Sequence, residues 1–164
     1  MLLVVKQMRE LDFAALMEVY EEGNRENGQE LWPELPEGLQ LLNAEQAFHQ
    51  YLRECFFVTP EAVYCIWQEK GKPVSALRLE PYRDGLLLEA LETAPAYRRK
   101  GYAVALITAV LEAFGEKKIY SHVGKRNTPS LRTHEKCGFH RIADHAVYAD
   151  GSVMQNHVTF CSRV

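Results

Sequence analysis

The segment from residue 86 to residue 123 constrains the fold more than any other, because its hydrophobic period changes twice. LLLEALET (86–93) has a strand pattern, residues 101–114 place apolar side chains at helical spacing, and KIYSHV (118–123) returns to a strand. A strand, a helix and a second strand in this order form a crossover whose two strands lie parallel. The chain therefore needs a sheet that contains at least one parallel pair.

The other predicted strands extend this sheet in antiparallel fashion. They comprise residues 2–6, 62–67, 74–82, 139–149 and 152–161. The short turns EKGKP and RDG join three consecutive strands into a meander, and Asp150-Gly151 is a strong hairpin turn near the C-terminus. The pattern predicts a mixed, mostly antiparallel sheet.

Helices are expected to pack against this sheet. Besides 101–114, apolar spacing or capping signals predict helices at 11–22, from Asn43 to 55, and from Thr128 to just before Gly138. The stretch GNRENGQELWPELPEGLQ, between the first two, is rich in Gly, Asn, Pro and Glu and predicts a loop. The fold class is therefore α+β, a mixed α/β sheet flanked by about four helices.

Length and composition narrow the functional classes. A chain of 164 residues with 47% hydrophobic and 25% charged residues predicts one globular domain over residues 1–164. The net charge of -3 disfavours nucleic acid and anionic membranes as partners, and no apolar run reaches the roughly 20 residues of a membrane span. The four cysteines lack metal-ligand spacing and the start lacks signal-peptide features, so we expect no metal and a cytoplasmic location.

Three consecutive cations, Arg98, Arg99 and Lys100, separate the strand at 86–93 from the helix that begins near Gly101. Backbone N–H groups at a helix start have no intrahelical partner, and a glycine lets an anion approach them closely. The stretch has neither the Walker A spacing nor the Gly-x-Gly-x-x-Gly spacing. Taken alone, it is compatible with a solvated basic turn or with a loop that holds a phosphate group.

Two segments together resemble a known family. Residues 98–103 match a pattern of Gln or Arg, two residues, Gly, one residue, then Gly or Ala, and Thr93-Ala94-Pro95 resembles the segment before it. Downstream, Asn127 to Phe139 resembles the family's second motif, except that His134 stands where the family has tyrosine. The chain is thus similar to the GNAT superfamily of acetyl-CoA-dependent N-acetyltransferases. The resemblance implies a GNAT-like sheet whose parallel strands, 86–93 and 118–123, are splayed.

The resemblance also implies where acetyl-CoA binds. Its pyrophosphate would lie on backbone N–H groups from Arg99 to Val104, and a strand bulge at Leu91 to Thr93 would bond the pantetheine arm and the acetyl carbonyl. Asn127 and Ser130 would lie beside the cofactor. The candidate cofactor-binding residues are Leu91, Glu92, Thr93, Arg98, Arg99, Lys100, Gly101, Tyr102, Ala103, Val104, Asn127, Ser130 and His134.

Acetyl transfer to an amine needs a base, because an alkylamine with a pKa of about 10.4 is protonated at neutral pH. Glu89, at mid-strand, and Glu92, at the expected bulge, are the candidates. Strand alternation would point Glu89 and Leu91 to the same face, whereas a bulge would reset Glu92. Either glutamate is equally compatible with an ordinary surface position.

The departing thiolate needs a proton, and His134 is the candidate acid. An imidazole with an ordinary pKa near ~6.5 can protonate a thiolate of pKa ~8.5. The alternative is that His134 only faces the cofactor and that the proton comes from water, Tyr120 or Tyr148.

These residues predict direct transfer of an acetyl group to a primary amine within a ternary complex. A small-molecule amine is the first choice of acceptor, and a protein lysine or N-terminus is the second. An acidic set near the first helices either attracts an amine or is a solvated rim: Glu18, Glu21, Glu22, Glu26, Glu30, Glu34 and Glu37. The rival functions are a non-catalytic acyl-CoA-binding module and, less favoured, nucleic-acid binding. A monomer or a homodimer is expected.

Overall fold

The computed structural model describes residues 1–163. Its helices are α1 (Phe13–Val19), α2 (Glu21–Leu31), α3 (Glu37–Tyr51), α4 (Tyr102–Ala113) and α5 (Thr128–Lys136). Its strands are β1 (Leu2–Val5), β2 (Val63–Glu69), β3 (Lys72–Tyr82), β4 (Gly85–Thr93), β5 (Lys118–Gly124), β6 (His140–Ala143), β7 (Ala146–Val147), β8 (Val153–Met154) and β9 (His157–Cys161). Within residues 1–163 no helix is long and apolar enough to cross a membrane.

Seven strands form one sheet in the order β1-β2-β3-β4-β5-β9-β6. Strands β4 and β5 are parallel and connect through α4, whereas the other neighbours are antiparallel. The β4–β5 pairing joins Gly85–Leu88 to Lys118–Ser121 and then stops, so the two strands diverge beyond Leu88. The predicted mixed sheet with a splayed parallel pair is confirmed.

The two faces of the sheet are covered by different helices. On one face, Leu88 of β4 packs with the buried Ile107 of α4. On the other face, Tyr64 of β2 packs with Leu16 of α1 and with Phe56 in the turn that follows α3. Burial of each such side chain contributes about 1.5–3 kcal/mol, so both faces are held firmly against the sheet.

Most of the stretch predicted as a loop is helical, and this part of the prediction was wrong for a physical reason. The first helix ends at Val19, α2 runs from Glu21 to Leu31, and α3 starts at Glu37 instead of near Asn43, so a loop remains only at 32–36. A Cβ on Gly28 would lie 2.5 Å from the carbonyl oxygen of Gln40. The glycine that predicts a loop therefore allows two helices to pack backbone against backbone.

The C-terminal hairpin is interrupted by bends that the sequence does not predict. The strand predicted over 139–149 ends at Ala143 as β6 and resumes at Ala146 as β7. The Thr159 hydroxyl donates a hydrogen bond of 2.7 Å to the His145 carbonyl at this bend. As a result β6 pairs with β9, whereas β7 and β8 form a separate small hairpin around Asp150-Gly151.

The contact at Gly28 generates a stability prediction. Gly28→Ala places a methyl group against the Gln40 backbone, so we expect the free energy of unfolding to fall by about 1–3 kcal/mol. Gly38→Ala is the matched control, because a Cβ there has no neighbour within 4 Å and alanine favours a helix by up to about 1 kcal/mol. Urea denaturation of both variants measures the difference. Equal stabilities would contradict the close contact between α2 and α3.

Candidate active site

A bulge in β4 shapes the region where the parallel strands diverge. Between two paired positions, β3 advances from Ala76 to Arg78 while β4 passes from Glu92 to Glu89, so β4 contains one extra residue. The extra residue is accommodated at Ala90, whose backbone adopts a left-handed φ of 49°. The hydroxyl of Tyr20, at the α1–α2 junction, donates a hydrogen bond of 2.6 Å to the Ala90 carbonyl. The first helices therefore hold the bulge in place.

The bulge changes which face each side chain occupies. Leu91 packs with the core beneath α4, whereas Ala90 packs with the cluster beneath α1. Glu92 lies on the helix α2 side, near Glu22 and Arg98. The expectation that Glu89 and Leu91 share a face was wrong, because the extra residue shifts the strand alternation by one position.

A cavity of about 930 Å³ opens between the bulge, the start of α4 and one side of α5, and we call it the first cavity. The residues predicted for the cofactor that line it are Leu91, Glu92, Thr93, Arg98, Arg99, Gly101, Tyr102, Ala103, Val104, Asn127 and Ser130. Lys100 and His134 do not line it. The structure thus brings together most of the residues that the sequence singled out.

The start of α4 presents a run of free backbone donors to the first cavity. Within residues 1–163, the backbone N–H groups from Arg99 to Val104 make no hydrogen bond. Gly101 precedes the helix with a left-handed φ of 84°, and a Cβ built on it would meet no atom within 4 Å. Consecutive N–H groups at a helix N-terminus, with the helix dipole behind them, form a site for an anion such as a phosphate.

The three cationic side chains of the loop, Arg98, Arg99 and Lys100, differ in whether protein groups bind them. The Arg98 guanidinium lies 2.5 Å from the Glu22 carboxylate and donates through Nε to the Thr93 carbonyl at 3.1 Å. The Lys100 ammonium donates to the Ala96 carbonyl at 3.0 Å and lies over the Tyr97 ring. Both cations are therefore held by protein groups, whereas Arg99, which also lines the first cavity, makes no side-chain hydrogen bond or ion pair within residues 1–163.

Two further cations line the first cavity and were missed by the sequence reasoning. Arg132 and Lys136 both belong to α5 and lie four residues apart. Residues at this spacing share one face of a helix, and that periodicity was the available signal. At the N-terminal end of α5, the Asn127 side chain accepts a hydrogen bond of 3.2 Å from the Ser130 N–H and so caps the helix.

His134 lies behind the wall of the first cavity. It is 1% exposed, and its ring stacks on Phe160 at 5.5 Å. Its Nδ1 lies 2.8 Å from the Ser130 carbonyl, which can only accept, so Nδ1 carries the proton and the buried Nε2 is an unprotonated nitrogen without a partner. Burial lowers the pKa of His134, which favours this neutral form.

Glu92 is one of three carboxyl groups that line the first cavity, together with Glu22 and Glu26. Burial raises its pKa, and the carboxylates of Glu22 and Glu26 raise it further, whereas Arg98 lowers it. Its carboxylate lies 3.8 Å from the Arg98 guanidinium. Glu92 also lines a second cavity of about 420 Å³, so it is shared between the two.

Glu89 has a different environment. Burial and a hydrogen bond with Glu80 raise its pKa to about 7, while Arg78 opposes the shift. It lines neither the first nor the second cavity. The two glutamates that the sequence offered as alternatives thus share a face but not a cavity.

The second cavity lies between α2, α3 and the sheet. Its walls include Tyr20, Trp32, Phe48 and Tyr51, and the Arg78 side chain also faces it. The acidic set predicted nearby is partly neutralised, because Glu21 and Glu37 pair with Arg25, Glu18 pairs with Lys72, and Glu22 pairs with Arg98. Within residues 1–163, no group of three His, Cys, Asp or Glu side chains is arranged to hold a metal ion.

Known structures share this architecture over nearly the whole chain. The PaiA N-acetyltransferase of Thermoplasma acidophilum, solved with coenzyme A, is similar with a TM-score of 0.65 and 13% identity, covering 100% of this chain and 99% of that one. The spermidine N-acetyltransferase of Vibrio cholerae is similar with a TM-score of 0.61 and 18% identity, covering 98% of this chain and 93% of that one. The ribosomal-protein-S18-alanine N-acetyltransferase of Escherichia coli is similar with a TM-score of 0.61 and 15% identity, covering 98% of this chain and 92% of that one. Identities this low establish a shared fold.

The sequence itself supplies the family assignment. No curated protein matches the chain in sequence. The model of the acetyltransferase (GNAT) family, however, matches residues 14–139, a stretch that includes the bulge, the free N–H groups at the start of α4 and the α5 face of the first cavity. The chain therefore belongs to the GNAT acetyltransferase family.

Proposed function

We propose that this acyltransferase moves an acetyl group from acetyl-CoA to the primary amine of a small molecule, directly within a ternary complex. The observation that carries the proposal is the position of Glu92, which lines both the first and the second cavity. A carboxylate at such a junction can take a proton from an amine in one cavity while the amine nitrogen reaches the thioester in the other. A second cavity of about 420 Å³ has the size of a small-molecule site.

The residues that would hold acetyl-CoA fit a ligand with several phosphates. The free N–H groups from Arg99 to Val104 would bind the pyrophosphate, and the open space beside Gly101 leaves room for it. Arg99, Arg132 and Lys136 add positive charge around the same cavity. Because Arg98 pairs with Glu22, we assign it to holding the loop against α2, and we assign Lys100, which bonds to the Ala96 carbonyl, to holding the loop itself.

Acetyl-CoA, when bound, supplies a thioester that the amine nitrogen attacks, so that a C–N bond forms, the C–S bond breaks and CoA leaves as the thiol. Glu92 accepts the proton that the ammonium group must lose before attack. Its raised pKa suits this task, because a carboxyl closer in pKa to the amine is a stronger base. Buried as a neutral imidazole without a proton on Nε2, His134 is assigned a structural role. Solvent in the open cavity takes the second proton, which the nitrogen loses as the C–S bond breaks, and supplies one to the departing thiolate.

We further propose that residues 1–164 form one acetyltransferase domain. Support comes from strands outside the matched region, since β1 pairs with β2, and β9 lies between β5 and β6. A protein lysine or N-terminus remains the second choice of acceptor. Both acceptor classes occur among the structural relatives, whose names specify spermidine in one case and an alanine of a ribosomal protein in another.

The role of the α4 N-terminus generates a binding prediction. Gly101→Ala and Gly151→Ala place a Cβ on backbones with the same φ of 84° and no neighbour within 4 Å, so each should lose about 1–2 kcal/mol of stability. Only Gly101 adjoins the free N–H groups, so only its variant should bind CoA at least about tenfold more weakly. Titration calorimetry with CoA measures this. Unchanged affinity in folded Gly101→Ala would refute the anion site.

The assignment of Glu92 as the base generates a kinetic prediction. Glu92→Gln should lower kcat by about 10²–10⁴-fold in assays of thiol release with a panel of amines. The wild-type rate should rise as the pH rises through the raised pKa of Glu92, and this limb should vanish in the variant. Glu89→Gln is the matched control and should retain most of the activity. A larger loss in Glu89→Gln than in Glu92→Gln would reverse the assignment.

The structural role of His134 can be tested with His134→Phe. Phenylalanine preserves the ring stack on Phe160 and removes the contacts of Nδ1 with Ser130, at 2.8 Å to its carbonyl and 3.4 Å to its hydroxyl. We therefore expect turnover close to that of the wild type and unchanged affinity for CoA. A loss of about 10²-fold in kcat with intact CoA binding would instead identify His134 as the acid.

A further inference from the structure

The second cavity contains a cation with an unusual environment. The Arg78 guanidinium carbon lies 4.8 Å from the ring centroid of Tyr51, 5.6 Å from that of Phe56 and 6.0 Å from that of Phe48. Within residues 1–163 it makes no hydrogen bond to the protein and no ion pair within 4.0 Å, and its Nε is buried without a partner. The close contacts of this positive group within the described residues are therefore with aromatic rings.

This arrangement leaves the hydrogen-bonding edge of the guanidinium free. Aromatic rings stabilise a guanidinium through its flat faces, whereas its five N–H donors lie in the plane. Planar N–H donors match the two oxygens of a carboxylate, and such pairs are stronger than neutral hydrogen bonds. An anion that reached Arg78 would therefore satisfy donors that the protein leaves without partners.

The nearby carboxylates do not take this place. Glu89 is the cross-strand partner of Arg78, yet within residues 1–163 the two form no ion pair. Burial and the neighbouring Glu80 carboxyl raise the pKa of Glu89, which favours its neutral form and weakens its attraction to Arg78. The tyrosines around Arg78 are neutral hydroxyls, because burial raises the pKa of Tyr64 and Tyr51.

Arg78 and Glu92 line the same cavity, so one small molecule bound there can contact both. Ala76 is the cross-strand partner of Glu92, and Arg78 follows two positions later on β3, on the other side of the bulge at Ala90. Trp32, Phe48 and Tyr51 line this cavity as well and give it apolar walls.

We propose that the acceptor is an amino carboxylate: an amine that carries a carboxylate a few bonds from its nitrogen, on an apolar or aromatic body. The amine lies at Glu92, the body lies between the aromatic walls, and the carboxylate binds the free edge of Arg78. An amino acid is the simplest member of this class. The inference rests on the proposed function, and it makes Arg78 a residue that determines acceptor specificity.

The test compares amino acids with the amines that lack the carboxylate. Phenylalanine, tryptophan and leucine are assayed against phenethylamine, tryptamine and isoamylamine, with kcat/KM measured by thiol release. Wild-type enzyme should prefer the carboxylate-bearing partner in at least one pair by about 10–100-fold. Arg78→Met should remove this preference, because it should lower kcat/KM for the amino acid by at least about tenfold more than kcat/KM for the matching simple amine. Arg78→Lys keeps the positive charge but not the paired donors, so its preference for the amino acid should lie between those of the wild type and of Arg78→Met.

A binding readout separates failure of the inference from failure of the proposed function. In a Trp67→Phe background Trp32 is the remaining tryptophan, and its fluorescence reports occupancy of the second cavity. Equal or better binding and turnover of simple amines or of spermidine would overturn the amino carboxylate while leaving an N-acetyltransferase. Binding of neither set would also overturn it. Tight binding of CoA without thiol release for any amine would instead refute the proposed function. Wild-type comparisons decide these outcomes even if Arg78→Met fails to fold.

Discussion

The bulge at Ala90, held by the Tyr20 hydroxyl, is the constraint on which the candidate active site depends. A left-handed φ at a non-glycine residue costs about 1–2 kcal/mol, so it persists only where neighbouring groups fix the backbone. Three hydrogen bonds do so: Tyr20 to the Ala90 carbonyl at 2.6 Å, the Ser75 hydroxyl to the Glu92 carbonyl at 2.8 Å, and the Ala94 N–H to the Val74 carbonyl at 2.9 Å. These bonds tie β4 to α1 on one side and to β3 on the other.

The position of the bulge determines where charge and apolar surface fall. With one extra residue in β4, Leu91 packs under α4 while Glu92 lies beside Glu22 of α2. A regular strand would place these two side chains on the opposite faces. The one extra residue in β4 thus determines both which side chain packs under α4 and where the Glu92 carboxylate lies. Because the Tyr20 hydroxyl holds the bulge, the first helices influence the site through the backbone of β4 as well as through their own side chains.

Local signals in the sequence predicted the elements that depend on neighbouring residues, but not the contacts between distant ones. The switch of period around 86–123 predicted the parallel pair, and the Arg98–Ala103 pattern predicted the donor-rich turn. Gly28 indicated a loop because nothing in its vicinity reveals the Gln40 backbone against which it packs. The ion pair between Arg98 and Glu22 joins residues far apart in sequence, and so a cation assigned to phosphate proved to be bound by protein.

The chemistry of the site follows from how the structure distributes free and paired charges. Arg98, the first cation of the motif, is paired with Glu22, whereas Arg78, which no motif marked, has no protein partner for its donors in the described part of the chain and lies among aromatic rings. Charges paired within the protein stabilise its geometry, and charges left free inside a cavity are the ones that recognise a ligand, because a buried donor without a partner is costly. This criterion underlies both proposals: that the backbone N–H groups of the α4 start bind an anion in the first cavity, and that Arg78 binds one in the second.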